Sequence, residues 1–191
     1  MGQNKALMPF HGIPLIQRVV NRLVPIASEM NIISDDDNAY QFLDLPIFAD
    51  HMPGKGVLGG VHTALLVSKF PFVAPVGCDL PFISVKLFQA ELNLIMDCAA
   101  DVVIPESQNG LEPLHAVYRQ GTCLPLVEQS LHEGDNRIVS WFSHAEIRIF
   151  SLSEITRVDP DPRIFLNLNH PDEFNQAIDI AGVDDSPLDF D

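Results

Sequence analysis

The chain is poor in cysteine, in basic residues and in long apolar runs. Only three of its 191 residues are cysteine, at positions 78, 98 and 123. The count is odd and no pair has CxxC spacing, which argues against a disulfide framework or a structural zinc site and fits a reducing compartment. Lysine and arginine number 11 against 26 acidic residues, for a net charge of −15. Nucleic-acid binding needs a basic footprint, which this chain lacks. No run of 18 apolar residues occurs. The longest approach to one, from Gly56 to Cys78, is broken by Lys69, Pro71 and Pro75. The N-terminus has no basic segment ahead of an apolar one, so no signal peptide is read. These absences point to a soluble cytoplasmic protein without a membrane segment. Catalytic signatures are missing as well. No two histidines have HExxH spacing, no serine sits in GxSxG, and no Gly-Lys-Ser/Thr completes a P-loop.

Apolar residues make up 47% of the chain, enough for a real core in one domain of this length. The domain is expected over residues 1–183, followed by an acidic tail, 184–191, with four aspartates. Leu15, Val19, Val20 and Leu23 share a helical stripe with Arg18 and Arg22 off it, and Pro14 suits the first helical position. Short apolar strands are read at Asn31–Ser34, Leu45–Asp50, Phe72–Asp79, Asp101–Pro105 and Pro113–Tyr118. Helices are read from Gly56 to about Ser68, after Ser84 as N-cap, and from Leu124 to Leu131. Beyond Trp141 only a strand and loop at Phe165–Pro171 and a short helix at Asp172–Ala181 are read. Strands that are continuous apolar runs, alternating with helices, predict an α/β fold: a mainly parallel sheet with helices on both faces.

In such sheets ligands bind beyond the strand C-terminal ends. Asp36, Asp50 and Asp79 all lie at predicted strand ends. A carboxylate at that rim could hold Mg²⁺, which takes one or two carboxylates beside substrate phosphates, though rim aspartates also serve as turns and caps. The 54–60 glycines could let a backbone approach a ligand, or simply pack a helix on a strand. Lys5 could hold a phosphate. Within the first thirty residues Lys5, Arg18 and Arg22 outweigh Glu29, giving +2 there and −17 over the rest. His62 and His115 fall in apolar contexts and read as core or rim residues. Cys78 reads as packed and not as a nucleophile.

Several segments taken together resemble one family. Met1-Gly-Gln-Asn-Lys-Ala-Leu7 with His11-Gly-Ile-Pro-Leu15 is similar to the end of a nucleotidyltransferase signature. Phe48-Ala-Asp50, Gly56-Val-Leu-Gly-Gly-Val-His-Thr-Ala-Leu65 and Gly77-Cys-Asp-Leu-Pro-Phe82 follow in family order. Glu112-Pro-Leu-His-Ala-Val-Tyr118 and Asn167-Leu-Asn-His-Pro-Asp-Glu173 complete it. The chain resembles the molybdenum cofactor guanylyltransferases over nearly its whole length. The resemblance implies a Rossmann-like nucleotidyltransferase fold that transfers GMP from GTP to molybdopterin and releases pyrophosphate, with Mg²⁺. It places Lys5 and Asp79 as catalytic, Lys5 on the GTP phosphates and Asp79 on the metal. Asp50 and the Gly59-Gly60 turn would read the nucleoside. Asp36, or alternatively Asn38, stands where the family has an asparagine, and Asn4 where it has an aspartate. Glu112, Arg119 and Arg137 would serve the acceptor, and Asn167 or Asn169 the metal shell or the pterin side. Other cofactor-biosynthesis proteins and apo-molybdoenzymes are implied partners. The family's first strand and its LAGGxSxRMG loop have no counterpart here, so an N-terminally truncated form is expected, with the ladder groups of two neighbouring strands unpaired. Two other readings stay open: a nucleotidyltransferase for CTP or a sugar nucleotide, and a non-catalytic homologue.

Overall fold

A computed structural model describes residues 4–168. Asn169, the predicted helix 172–181 and the tail 184–191 lie outside them. After a 3₁₀ turn at Lys5–Leu7, β1 (Pro9–Phe10) and β2 (Ile13–Pro14) form a small antiparallel pair ahead of α1 (Leu15–Leu23). Then follow β3 (Ile32–Ile33), α2 (Asp37–Tyr40), β4 (Ile47–Phe48), α3 (Gly56–Val67) and β5 (Phe72–Val73). The second half holds α4 (Val85–Asp97), β6 (Val102–Ser107), β7 (Gly110–Leu111), β8 (Val117–Arg119), α5 (Gln120–His132), β9 (Ile147–Phe150) and α6 (Leu152–Val158). No helix among the described residues is long and apolar enough to cross a membrane.

The α/β expectation holds, and the sheet is mixed. β3 and β4 pair in parallel, as do β6 and β9, whereas β8 runs antiparallel between β5 and β6. The link from β6 through β7 to β8 is too short for a crossover, which takes a dozen or more residues, so the chain must double back. Among the described residues the β3–β4 pair is not hydrogen-bonded to the five-stranded sheet. Two helical layers join them. Val19 and Leu23 of α1 pack with Leu87, Phe88 and Ile95 of α4 on one side. Leu58, Val61 and Leu65 of α3 pack with Cys123, Val127 and Leu131 of α5 on the other.

Several boundaries differ from the sequence reading, each for a local reason. Pro14 ends β2 and precedes α1 instead of opening it. The run Phe72–Asp79 is a strand only at Phe72–Val73, with one further bridge from Val76 to His115. Pro75 has no N–H to give a ladder. Helix α5 starts four residues before Leu124, because Pro125 lies inside it where the pattern suggested a start. Phe165–Leu168 forms turn and coil and no strand. The sequence reading missed β9 and α6 altogether. Ser151 and Glu154 close a capping box at the start of α6, a signal that was present in Ser-x-x-Glu. Ser84 caps α4 as expected, accepting from the Leu87 N–H at 3.1 Å.

One polar pair lies inside this packing. Glu91 of α4 is 0% exposed and His115 is 1% exposed, with 3.7 Å between Oε1 and Nδ1. His115 stacks on Phe88 with ring centroids 4.2 Å apart. Burial pushes the Glu91 carboxyl well up and the His115 imidazole down to about 4, so the imidazole is neutral at pH 7. Their linkage to stability has opposite signs. From about pH 4 to 6.5 the unfolded chain binds a proton that folded His115 refuses, so this group makes stability rise with pH. Above ~4.3 the folded chain keeps a proton on Glu91 that the unfolded chain has lost, so that group makes stability fall. Glu91→Gln deletes the second slope and keeps the first. Denaturant melts between pH 4 and 8 are expected to show the variant gaining on the wild type as pH rises. A constant difference across that range would show that Glu91 is ionised in the folded protein.

Candidate active site

The C-terminal ends of β3, β4 and β5 carry the aspartates, as the apolar runs predicted. Asp36 follows β3, and its carboxylate caps α2 by accepting from the Ala39 N–H at 3.2 Å. Asp35, which the sequence reading passed over, accepts from the Asp50 N–H at 3.0 Å and ties the end of β3 to the end of β4. Asp50 Oδ1 accepts from the Met52 N–H at 2.9 Å and from the Thr63 hydroxyl at 3.0 Å. Its other oxygen, Oδ2, lies 2.9 Å from where a Cβ on Gly59 would stand, and the Met52 carbonyl lies 3.0 Å from it. Gly59 is therefore a packing glycine under the 50–55 turn. Gly60, in contrast, has open space beside it. No side chain caps the N-terminus of α3, so its first-turn amides are available to a ligand.

On the other side stands Asp79, half-buried after β5. Burial raises its carboxyl above the usual aspartate range, against the lowering effects of a backbone hydrogen bond and the Lys5 charge. The Lys5 charge is thus felt at Asp79. Its position is built. The Asn4 side chain accepts from the Ala6 N–H at 3.2 Å and donates to the Tyr40 hydroxyl at 2.9 Å, while Ala6 packs with Ile16, Val20 and Ile32. The Cys78 thiol is pushed up to about 11, by burial first and then by the Asp79 charge. It is protonated at neutral pH and packed, as expected. Two arginines hold the loop after Asp79. Arg18 Nε donates to the Pro81 carbonyl and Arg22 Nε to the Ile83 carbonyl, each at 3.0 Å. Arg18 is 7% exposed and lies 5.0 Å from the Phe10 ring centroid. Both residues were read as lying off the apolar stripe of α1; the structure uses them to hold this loop.

The acceptor-side residues divide. Asn167 is exposed beside the site, because the Leu168 N–H donates to the Asp79 carbonyl at 3.2 Å. Glu112 is half-buried and accepts from the Ser107 hydroxyl at 2.6 Å, with burial raising its carboxyl. Its loop borders the site, since Leu114 lies 3.7 Å from the Cβ position of Gly77. Arg119 is corrected. It pairs in register with Phe72 at the start of β5, the end of that strand away from Asp79. Its guanidinium donates to the carbonyls of Ile95, Cys98 and Ala100, so it closes the end of α4. Arg137 is exposed and forked onto Asp135 two residues away. His62 meets Glu128 at 3.3 Å and links α3 to α5, in keeping with its core reading.

Among the described residues no three His, Cys, Asp or Glu side chains cluster to hold a metal. A half-buried carboxylate with a raised pKa still fits a divalent cation whose other ligands come from substrate phosphates, because the cation supplies the missing counter-charge.

Residues 1–147 match the family model described as MobA-like NTP transferase domain. A probable molybdenum cofactor guanylyltransferase of Carboxydothermus hydrogenoformans is 32% identical over 183 residues, covering 96% of this chain and 91% of its own. The molybdenum cofactor guanylyltransferase of Desulfosudis oleivorans is 30% identical, covering 92% and 86%. The crystal structure of molybdopterin-guanine dinucleotide biosynthesis protein A from Archaeoglobus fulgidus superposes with a TM-score of 0.81 at 21% identity, over 94% of this chain and 91% of that one. The 2-C-methyl-D-erythritol 4-phosphate cytidylyltransferase of Thermus thermophilus shares the fold at a TM-score of 0.67 and 13% identity, over 93% of each chain.

Each candidate carboxylate thus rests over a glycine, which gives a paired expectation. A Cβ on Gly77 would lie 2.8 Å from Asp79 Oδ1, the movable end of a side chain. Gly77→Ala should therefore displace the carboxylate at little cost in stability and weaken divalent-cation binding in calorimetry. A Cβ on Gly59 meets backbone as well, so Gly59→Ala should lower stability by about 1–3 kcal/mol. Equal, large losses of stability in both variants would refute the distinction.

Proposed function

The chain belongs to the MobA-like NTP transferase family, and on that premise we propose that it transfers GMP from GTP to molybdopterin, forming molybdopterin guanine dinucleotide and releasing pyrophosphate. Relatives at about 30% identity over nearly the whole chain carry that activity in their names. The observation that carries the reading is the Lys5 ammonium acting on the half-buried Asp79 carboxylate at the end of β5.

A phosphate oxygen of the acceptor attacks the α-phosphorus of GTP. The new P–O bond forms as the bond from that phosphorus to the β-bridging oxygen breaks, and pyrophosphate leaves with the electron pair. The nucleophile is already anionic, so no side chain has to take its proton. The task of the protein is to align two anions and offset their charge. Lys5 does this at the phosphates. Nucleotidyltransferases of this kind use a divalent metal, and Asp79 would hold it, with Mg²⁺ suited to one carboxylate plus phosphate oxygens. When bound, the cation draws charge from the triphosphate oxygens. Asp50 has lone pairs beyond its two hydrogen bonds, and guanine presents two adjacent N–H donors that cytosine and uracil lack. Asp50 and the open side of Gly60 are the nucleoside contacts of this reading. Asp36 supports them through α2. Asn167 and Glu112 border the acceptor side. The three free thiols fit a reducing compartment such as the cytoplasm.

Pyrophosphate release with molybdopterin and each of GTP, CTP and UTP tests this directly. Turnover is expected with GTP and divalent cation. Asp79→Asn should reduce it by about 100-fold or more, with a stability change within about 0.5 kcal/mol. Preference for CTP would replace the guanylyl reading with a cytidylyl one. Undiminished turnover in the variant would remove Asp79 from the cation site.

A further inference from the structure

Helix α4 carries a carboxylate into the apolar layer it forms with α1. Glu91 lies on the same buried face as Leu87, Phe88 and Ile95, and His115 Nδ1 faces its Oε1 at 3.7 Å. Among the described residues neither oxygen of Glu91 and neither ring nitrogen of His115 has a hydrogen-bond partner. The Tyr118 hydroxyl gives its proton to the Pro113 carbonyl at 2.7 Å, so it is no donor to Glu91. Buried polar groups are costly when left alone. This pair has to close by only about 0.5 Å to come within hydrogen-bond range.

Three segments of the site meet at His115. Its own N–H donates to the Glu112 carbonyl at 2.9 Å and closes the turn that presents Glu112. Its backbone bridges to Val76, three residues before Asp79. Its ring meets Phe165, two residues before Asn167, edge-on with centroids 5.3 Å apart. The same ring stacks on Phe88 of α4 with planes 7° apart. Stacking tolerates a range of offsets, so it leaves the ring free to slide. A hydrogen bond at Nδ1 does not, because it weakens steeply with distance and angle. Among the described residues Glu91 is the group placed to make that bond.

We propose that Glu91 and His115 are positioning residues for the acceptor side of the site. A hydrogen bond between the Glu91 carboxyl and His115 Nδ1 fixes the imidazole. The imidazole in turn holds the segments that carry Asp79, Glu112 and Asn167 in one arrangement. One proton lies between the two groups, on the carboxyl oxygen or on Nδ1, and either placement makes the bond. Both side chains are closed off from solvent, so neither touches a substrate. Two of the three segments also meet directly, where the Leu168 N–H donates to the Asp79 carbonyl at 3.2 Å. The proposal rests on the guanylyl-transfer reading only in calling these segments the acceptor side.

The test reads the segments directly. Glu91→Leu combined with His115→Phe removes the bond without stranding either partner, so the double variant is expected to melt no lower than the wild type. Its backbone amides at 115 and 168, which bond to Glu112 and Asp79, are expected to exchange about tenfold faster or more. The amides of α3 and α5, in the other layer, should keep their rates. Glu91→Gln offers both a donor and an acceptor, and should hold amides 115 and 168 at wild-type rates. With GTP present, kcat/KM for molybdopterin should fall about tenfold in the double variant and stay at the wild-type value in Glu91→Gln. A further readout does not depend on the double variant folding: nitrogen-15 spectra of the wild type should show His115 Nδ1 hydrogen-bonded. A free Nδ1, unchanged exchange at 115 and 168, or equal quickening throughout the protein would overturn the proposal. So would exchange in Glu91→Gln as fast as in the double variant, or undiminished kcat/KM in the double variant. A wild-type chain without turnover would count against the guanylyl-transfer reading, and the exchange rates would still decide this proposal.

Discussion

The guanidinium of Arg18 is the interaction on which the rest of this site depends. A charge that is 7% exposed must be met by strong acceptors, and the Pro81 carbonyl meets it at 3.0 Å. One turn on, Arg22 repeats the contact on Ile83. Helix α1 thus holds the loop that leaves Asp79. The same helix packs against the Ala6 turn that carries Lys5. A cation and a carboxylate that are 74 positions apart in sequence are set against each other by one helix that reaches both.

Electrostatics then favour an anionic ligand with a cation in a chain whose net charge is −15. Burial raises Asp79, and Lys5 offsets this only in part. The site therefore gains from any further positive charge beside the carboxylate. In the proposed reaction a triphosphate brought in with a divalent cation would satisfy both partners, the cation at Asp79 and the phosphates at Lys5. Across the site, the Asp35–Asp50–Thr63 hydrogen bonds fix a second carboxylate over Gly59, beside the uncapped start of α3. The two carboxylates are held rigidly by different means, one by a loop clamp and one by a hydrogen-bonded turn.

Packing, not a continuous ladder, joins the two halves. Helices α1 and α3 bridge sheets that share no strand–strand hydrogen bonds among the described residues. The core is dense on either side, and a cavity with a largely apolar lining lies between.

Apolar runs ending in aspartate were enough, by themselves, to specify strands whose C-terminal ends gather the site, because a buried strand must be apolar and its polar terminus must reach water. The alternation with helices determined the α/β class, and Ser84 its cap. Three things could be decided only in three dimensions. Arginines carry charge in any one-dimensional pattern, and whether that charge faces solvent, a ligand or a carbonyl depends on what other segments bring. Arg18 and Arg22 therefore read only as local positive charge off the apolar stripe and Arg119 as a ligand group, although all three close loops and helix ends. Strand direction was hidden too, since β8 is apolar in either orientation and only the short links around β7 force it back. Gly59 read equally as a ligand-approach or a packing glycine and Gly77 as part of a strand, yet each leaves room for a carboxylate, Asp50 or Asp79, and that clearance exists only after folding.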